Sequence, residues 1–354
     1  MTDLKQKHYA IFSLALFLAP LILSSVAINA HAQTQPILRV AVSVPSLAGI
    51  AQEVGGPHVN TSVLLNQETE PHAFTLTPEV ITKADDADLL VLTGHFAWEE
   101  ELANLTSTPF ITLQSENALE NYEEYGAVLS PMPGQESGGS ENGGNLHGFW
   151  LLPRNAVAIA NATRAALTAI NSTMSDEWTS NFNAFVERVD ELQNTIDMMN
   201  DIYGFSGLHA ITVFPAEAYV AETFGIKVDA VLQIEDITLS GAKLLDVQNA
   251  IRNGSIRLIL GSDIAQFQTG GEFAYQLQAD YGGILIWWRT VFYAESEYFW
   301  MMNYNLGALA SGLKGRAGAA SDGTINIGLI ALSSVLGVLV TVETVLIVRR
   351  AKTD

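Results

Sequence analysis

The chain has 354 residues, 48% of them hydrophobic and 16% charged, with a formal net charge of −21 and no cysteine. The missing cysteines exclude a disulfide framework, a thiolate metal site and a lipid-modified cysteine. So large an acidic excess repels nucleic acid and anionic lipid, and neither is expected as a partner.

Lys5 and Lys7 precede an apolar run from Ala10 to Ile28 and a small-x-small site at Ala30-His31-Ala32. This pattern predicts a secretory signal peptide over residues 1–32, with an uncleaved anchor as the alternative. At the other end, Ile325 to Val348 holds one ionisable residue, Glu343, and is followed by Arg349, Arg350 and Lys352. That length suits a transmembrane helix, and the flanking positive charge orients its tail inward. The expected location is therefore the cell membrane, single-pass, with an extracytoplasmic body and a cytoplasmic C-terminal tail. Asp3 and two lysines leave with the first segment, and two acids and three bases with the last, so the body keeps 12 basic against 35 acidic residues, −23. Asn60, Asn104, Asn161, Asn171 and Asn253 each begin an N-x-S/T sequon, which marks surface positions.

Within the body, Leu38–Val44 reads as a strand, Ser46–Val54 as a helix and Val59–Leu65 as a second strand. Thr77–Lys83 follows as a helix opened by Thr77-Pro78, then Asp88–Thr93 as a third strand ending at Gly94. Strands alternating with helices predict a parallel sheet. Residues 130–145, rich in Pro, Gly, Ser and Glu, read as a loop. Asn155–Ile170 is an alanine-rich helix, and Ser175–Met199 a long amphipathic one with Trp178, Phe182, Phe185, Val189, Leu192 and Ile196 on one stripe. The alternation then restarts: strands at His209–Phe214, Ile256–Leu260 and Ile284–Trp288, and helices at Ala216–Phe224, Ser240–Arg252, Phe273–Tyr281 and Tyr298–Leu313.

The expected fold is α/β: two lobes, each with a mostly parallel sheet flanked by helices, joined by one long rigid helix, plus a C-terminal transmembrane helix. The expected boundaries are signal peptide 1–32, first lobe 33–173, linking helix 174–203, second lobe 204–314, linker 315–324 and anchor 325–348. Ligands of such sheets bind where the strands' carboxyl ends meet the loops.

The segment with the most specific spacing is Glu70-Pro71-His72-Ala-Phe-Thr-Leu-Thr-Pro78, just after a strand end. It resembles the E/D-P-H-x5-P segment of the metal-binding solute-binding proteins of ABC importers, the zinc- and manganese-specific group. Further similarities follow in order: Ala87-Asp88-Leu-Leu-Val91 with Gly94 and Glu99; His147-Gly-Phe-Trp150-Leu-Leu-Pro153 with Asn155; Ala218-Tyr219 through Phe224-Gly225-Ile226; Ser240-Gly-Ala-Lys-Leu-Leu245; and Met301-Met302 with Tyr304-Asn305-Leu306. The likeness spans nearly all of residues 37–313.

The resemblance implies a protein that carries one divalent ion, zinc or manganese, between its lobes as transported ligand, with His72 and His147 as ligands. Neutral imidazoles on separate loops suit either ion. The family's remaining two ligands fall at Phe214 and near Trp288 or Arg289, where no such ligand stands. Glu217, one turn beyond Phe214, and Asp263, just after a strand, are the substitutes expected from the second lobe, and His95, after the strand ending at Thr93, is a candidate third imidazole. His58 and His209 lie away from the strand ends and read as structural. The partners implied are the metal ion and an ABC permease in the same membrane, and the protein itself is expected to be a monomer. The alternative keeps the scaffold with a degenerate metal site, as a binding or adhesion protein for another ligand, with Arg289 favouring an anion. No H-E-x-x-H or G-x-S-x-G string appears, and no enzyme is expected.

Overall fold

The computed structural model describes residues 37–65, 71–134, 144–234, 237–290 and 297–317. The expected signal peptide, the anchor at 325–348, Glu70 and most of the Gly- and Glu-rich loop lie outside the described residues. Among those described, no helix is long and apolar enough to cross a membrane.

The first sheet grows around β1 (Leu38–Val42), a strand buried at four of its five positions. Such a run is expected of a strand covered on both faces. It pairs in parallel with β2 (Val59–Val63) on one side and β3 (Leu89–Val91) on the other. β4 (Phe110–Thr112) and β5 (Glu120–Asn121) complete the order β2-β1-β3-β4-β5. Between β1 and β2 runs α1 (Pro45–Gly55), opened by proline and burying Leu47, Ile50 and Val54. α2 (Pro78–Asp85) is capped by the Thr77 hydroxyl, which accepts from Val80 N at 3.4 Å. α3 (Ala97–Leu105) follows β3. Neither α3 nor the short strands β4 and β5 stood out in the sequence pattern.

α4 (Pro153–Ile170) leads into α5 (Ser175–Tyr203), the long helix. It runs 29 residues, about 43 Å at 1.5 Å per residue. It ends at Gly204, whose φ of 62° supplies the left-handed C-terminal turn. Trp178, Phe185, Leu192 and Ile196 are its buried stripe, and it packs on α1 and α4.

The second sheet contains β6 (His209–Thr212), followed by α6 (Glu217–Thr223) and β7 (Lys227–Val231). A small antiparallel pair, β8 (Gln233–Ile234) and β9 (Ile237–Thr238), precedes α7 (Gly241–Arg252). β10 (Leu258–Ser262), α8 (Thr269–Tyr281), β11 (Ile284–Trp288) and α9 (Tyr298–Ala317) complete the lobe. The sheet order is β11-β10-β6-β7, all parallel. β7 escaped the sequence reading because it alternates exposed and part-buried positions over most of its length.

Strand alternation divides this sheet between two cores. Ala210, Leu258, Leu260 and Ile286 face a large core that is continuous with the first lobe, while Ile211 and Ile259 face a smaller one beneath α7 and α8. α9 closes the large core by packing against both β11 and α5. The two sheets thus share buried apolar contacts as well as the long helix.

Candidate metal centre

His72 sits on the single 3-10 turn Pro71–Ala73, and His95 in the turn between β3 and α3. Both turns are held by α3. Trp98 Nε1 donates to the Pro71 carbonyl at 3.0 Å. The Glu99 carboxylate, 1% exposed, accepts from Thr93 N (2.7 Å), Thr93 Oγ1 (2.7 Å), His95 N (3.0 Å) and Phe96 N (3.1 Å). An acid in the first turn of a helix is favoured there, and here it also ties the loop that carries a histidine. Gly94, at φ 75°, makes the turn possible, since an added Cβ would lie 2.5 Å from Thr112 Oγ1.

His147 is fixed from both lobes. Its N–H donates to Asn145 Oδ1 at 3.0 Å, and Asn145 Nδ2 donates to the Pro215 carbonyl at 2.9 Å. Tyr219 on α6 donates its hydroxyl proton to the Asn145 carbonyl and accepts from Ser130 N at 3.0 Å. Gly148, at φ 79°, packs so closely that a Cβ there would come within 2.9 Å of Ala216 Cβ.

These turns bring His72, His95 and His147 together, with one donor nitrogen from each within 4.8 Å of the others. Ring centroids are 4.8 Å apart for His72 and His95, 5.3 Å for His72 and His147, and 4.4 Å for His95 and His147. Both nitrogens of His95 and of His147 are buried without a hydrogen-bond partner. Buried polar atoms are ordinarily satisfied, and a metal ion at the point of convergence would take one nitrogen from each ring. Burial, then the rings of His147 and His72, push His95 down from 6.5 to about 3. Burial and His72 push His147 down to about 4. Both rings are therefore neutral at physiological pH, the form that binds metal.

The histidines line a cavity of about 420 Å³ between the lobes. The second lobe contributes Phe214, Pro215, Gln233, Ser262, Ile264 and Thr290. Glu217 and Asp263, expected here as ligands, are not among the lining residues. Glu217 is fully buried at the start of α6, where its Oε2 accepts from Phe214 N at 2.8 Å. Burial pushes it up from 4.5 to about 8, against the opposing effects of Ser262 and backbone N–H groups. Asp263 Oδ1 accepts from Ile264 N at 3.1 Å and Thr290 N at 3.4 Å. One oxygen of each carboxylate thus takes backbone donors, and neither residue lines the cavity.

The Arg289 guanidinium lies 4.6 Å from the Trp300 ring and 4.1 Å from that of Tyr304, and does not line the cavity, which removes the basis for an anion-selective cleft. Trp288 and Phe299 are core. His58 and His209 pair with Glu177 (3.3 Å) and Asp229 (2.8 Å), away from the cavity. Sequence reasoning missed Asn145 and Tyr219, although Asn145 stands two residues before His147 and Tyr219 within a recognised segment.

The model of the family "Zinc-uptake complex component A periplasmic" matches residues 40–312. Among curated proteins, the zinc-binding lipoprotein AdcA of Streptococcus pneumoniae is 23% identical over 243 residues, 66% of this chain and 47% of that protein. The chain thus spans about half the length of that relative. Among solved structures, ZnuA superposes with a TM-score of 0.62 at 19% identity, covering 78% of this chain and 98% of ZnuA. FpvC of Pseudomonas aeruginosa in complex with Mn2+ gives 0.62 at 18% identity, covering 79% and 99%. At these identities the superpositions establish a shared fold. The family is the periplasmic binding component of an uptake complex rather than an enzyme, and with the match running from β1 to α9 this chain belongs to it.

Proposed function

We propose that this chain captures a divalent transition-metal ion outside the cytoplasm, zinc in preference to manganese, and delivers it to an ABC permease. The observation that carries the reading is the convergence of His72, His95 and His147, one donor nitrogen from each within 4.8 Å of the others, with the ring nitrogens of His95 and His147 buried without a hydrogen-bond partner. Three imidazoles suit zinc, which takes nitrogen at about 2.0–2.1 Å in a tetrahedral shell, better than they suit the harder manganese ion. Because His95 and His147 are already neutral, the ion displaces no proton from either ring near pH 7. Glu99 and Trp98 keep two of the ligands in place from one helix, so little ordering entropy is lost on binding.

In this reading the body divides as first lobe 33–173, linking helix 174–203 and second lobe from 204 to the end of α9, with the apolar segment 325–348 as its membrane anchor. Tethering would raise the concentration of loaded protein beside its permease.

The test is metal analysis and competitive zinc and manganese titration of the full chain alongside His72→Ala, His95→Ala and His147→Ala. One-to-one zinc binding is expected, and each substitution should weaken it beyond the roughly 10–100-fold typical of losing an outer-shell partner. Absence of zinc binding, or binding indifferent to all three substitutions, would overturn the proposal.

A further inference from the structure

The three imidazoles all come from one side of the cavity, and among the described residues the wall opposite supplies neither a carboxylate nor a fourth imidazole. Among the described residues, none that lines the cavity is Asp, Glu, Lys or Arg. Of the nearby buried acids, Glu99 takes four donors from the Thr93–Phe96 turn, and Glu217, whose Oε2 accepts from Phe214 N, does not line the cavity. A tetrahedral ion on three protein ligands keeps one open position. It also keeps its full double charge, because three neutral rings cancel none of it, and an unpaired charge beside apolar walls is costly.

The space beyond the histidines is larger than an ion requires. A volume of about 420 Å³ falls within the range of about 300–1,000 Å³ found for small-molecule pockets. A single water would occupy only about 30 Å³ of it. The far wall is equipped for a small polar molecule with a carbon body. Thr290, 1% exposed, presents a hydroxyl without a hydrogen-bond partner. Ser262, Gln233 and Gln268 add neutral polar groups, and Phe214 and Ile264 add apolar cover.

We infer that the cavity takes its metal together with a small carboxylate co-ligand, one oxygen completing the coordination shell and the remainder seated against Thr290, Ser262 and Phe214. This rests on the metal-capture reading and specifies its cargo: a metal–carboxylate complex of reduced charge rather than a bare ion. The carboxylate cancels charge that the lining leaves uncompensated, and the Thr290 hydroxyl donates to its outer oxygen.

Cobalt(II) and malonate serve as probes, with the full chain stripped of metal and kept in excess over cobalt. Cobalt absorption bands in the visible report binding to the histidines, and malonate is then titrated in. The expected result is a saturable change in the bands with cobalt still bound, and an apparent cobalt affinity that rises with malonate. Thr290→Val should raise the malonate half-saturation about tenfold, the effect of one hydrogen bond to a charged group. Phe214→His would place an imidazole on the far wall and should abolish the malonate response while cobalt stays bound. Bands that malonate leaves unmoved, or malonate that merely strips cobalt from the protein, would overturn the co-ligand inference and leave metal capture standing. No cobalt bands at all would overturn both.

Discussion

Replacing Glu99 with glutamine tests whether α3 sets the metal centre. The carboxylate takes four hydrogen bonds, three of them at Oε2 from Thr93 Oγ1, His95 N and Phe96 N, and one at Oε1 from Thr93 N. A glutamine can keep its amide oxygen at the three-donor position, but its NH2 then faces Thr93 N, donor against donor. One buried bond is lost outright, and the rest fall from charge-assisted to neutral strength. With bonds to charged groups contributing about 1.5–3 kcal/mol and neutral ones about 1, the fold should lose about 3 kcal/mol or more. Urea unfolding of the metal-free full chain measures this. The same change loosens the His95 turn, so zinc affinity should fall about tenfold or more, as for other groups that orient a ligand. The two effects are separated by a double-mutant cycle with His95→Ala: once the ring is gone, Glu99→Gln should cost little further zinc affinity. Stability within 0.5 kcal/mol of wild type, or zinc effects that simply add, would refute the positioning role.

Three further outcomes follow from the same geometry. His95 and His147 have folded values of about 3 and about 4 against 6.5 when unfolded, so between these limits the unfolded chain binds more protons. The stability they contribute is therefore complete above about pH 6.5 and is lost as pH falls toward 4; ring-proton NMR of the metal-free protein should find both rings neutral at pH 5, and midpoints near 6.5 would contradict this. Glu217 runs the other way: with a folded value of about 8 above its usual 4.5, it favours folding at low pH and loses that contribution as pH rises from 4.5 to 8, so Glu217→Gln should flatten the decline in stability across that window. Gly148→Ala should destabilise the fold by about 1–2 kcal/mol through its left-handed backbone, with more from overlap against Ala216 2.9 Å away, and should weaken zinc binding through His147; calorimetry and titration check both, and an unchanged zinc affinity would argue against the two-lobe fixing of His147.

Much of the scaffold was legible because its strands are apolar runs with clear edges. Ile284–Trp288 falls within the bounds that its composition suggests, and the stripe of α5 follows from its three- and four-residue spacing. The three-residue strands β3 and β4 carry too little pattern to bound, and β4 was not seen at all. α3 was overlooked even though Glu99 and Glu100 mark its first turn, and it proves to be the helix that holds two of the histidines. In the site, His72 and His147 stood out by motif and His95 by its place after a strand. The second-lobe acids misled because sequence position says where a carboxylate begins, not where it turns. Glu217 stands three residues after Phe214 at a helix start, where folding back onto a backbone N–H is favoured, and Asp263 follows a strand that continues to Ser262 and turns to the donors beside it.

The latch on His147 has a consequence for unloading. His72 and His95 hang from turns that α3 secures within the first lobe, whereas the His147 loop is bonded to Tyr219 and Pro215 across the cleft. A partner that draws α6 aside would slacken one ligand and leave two in place. Under the proposed function, release would then pass through a two-histidine stage, weaker by one bond.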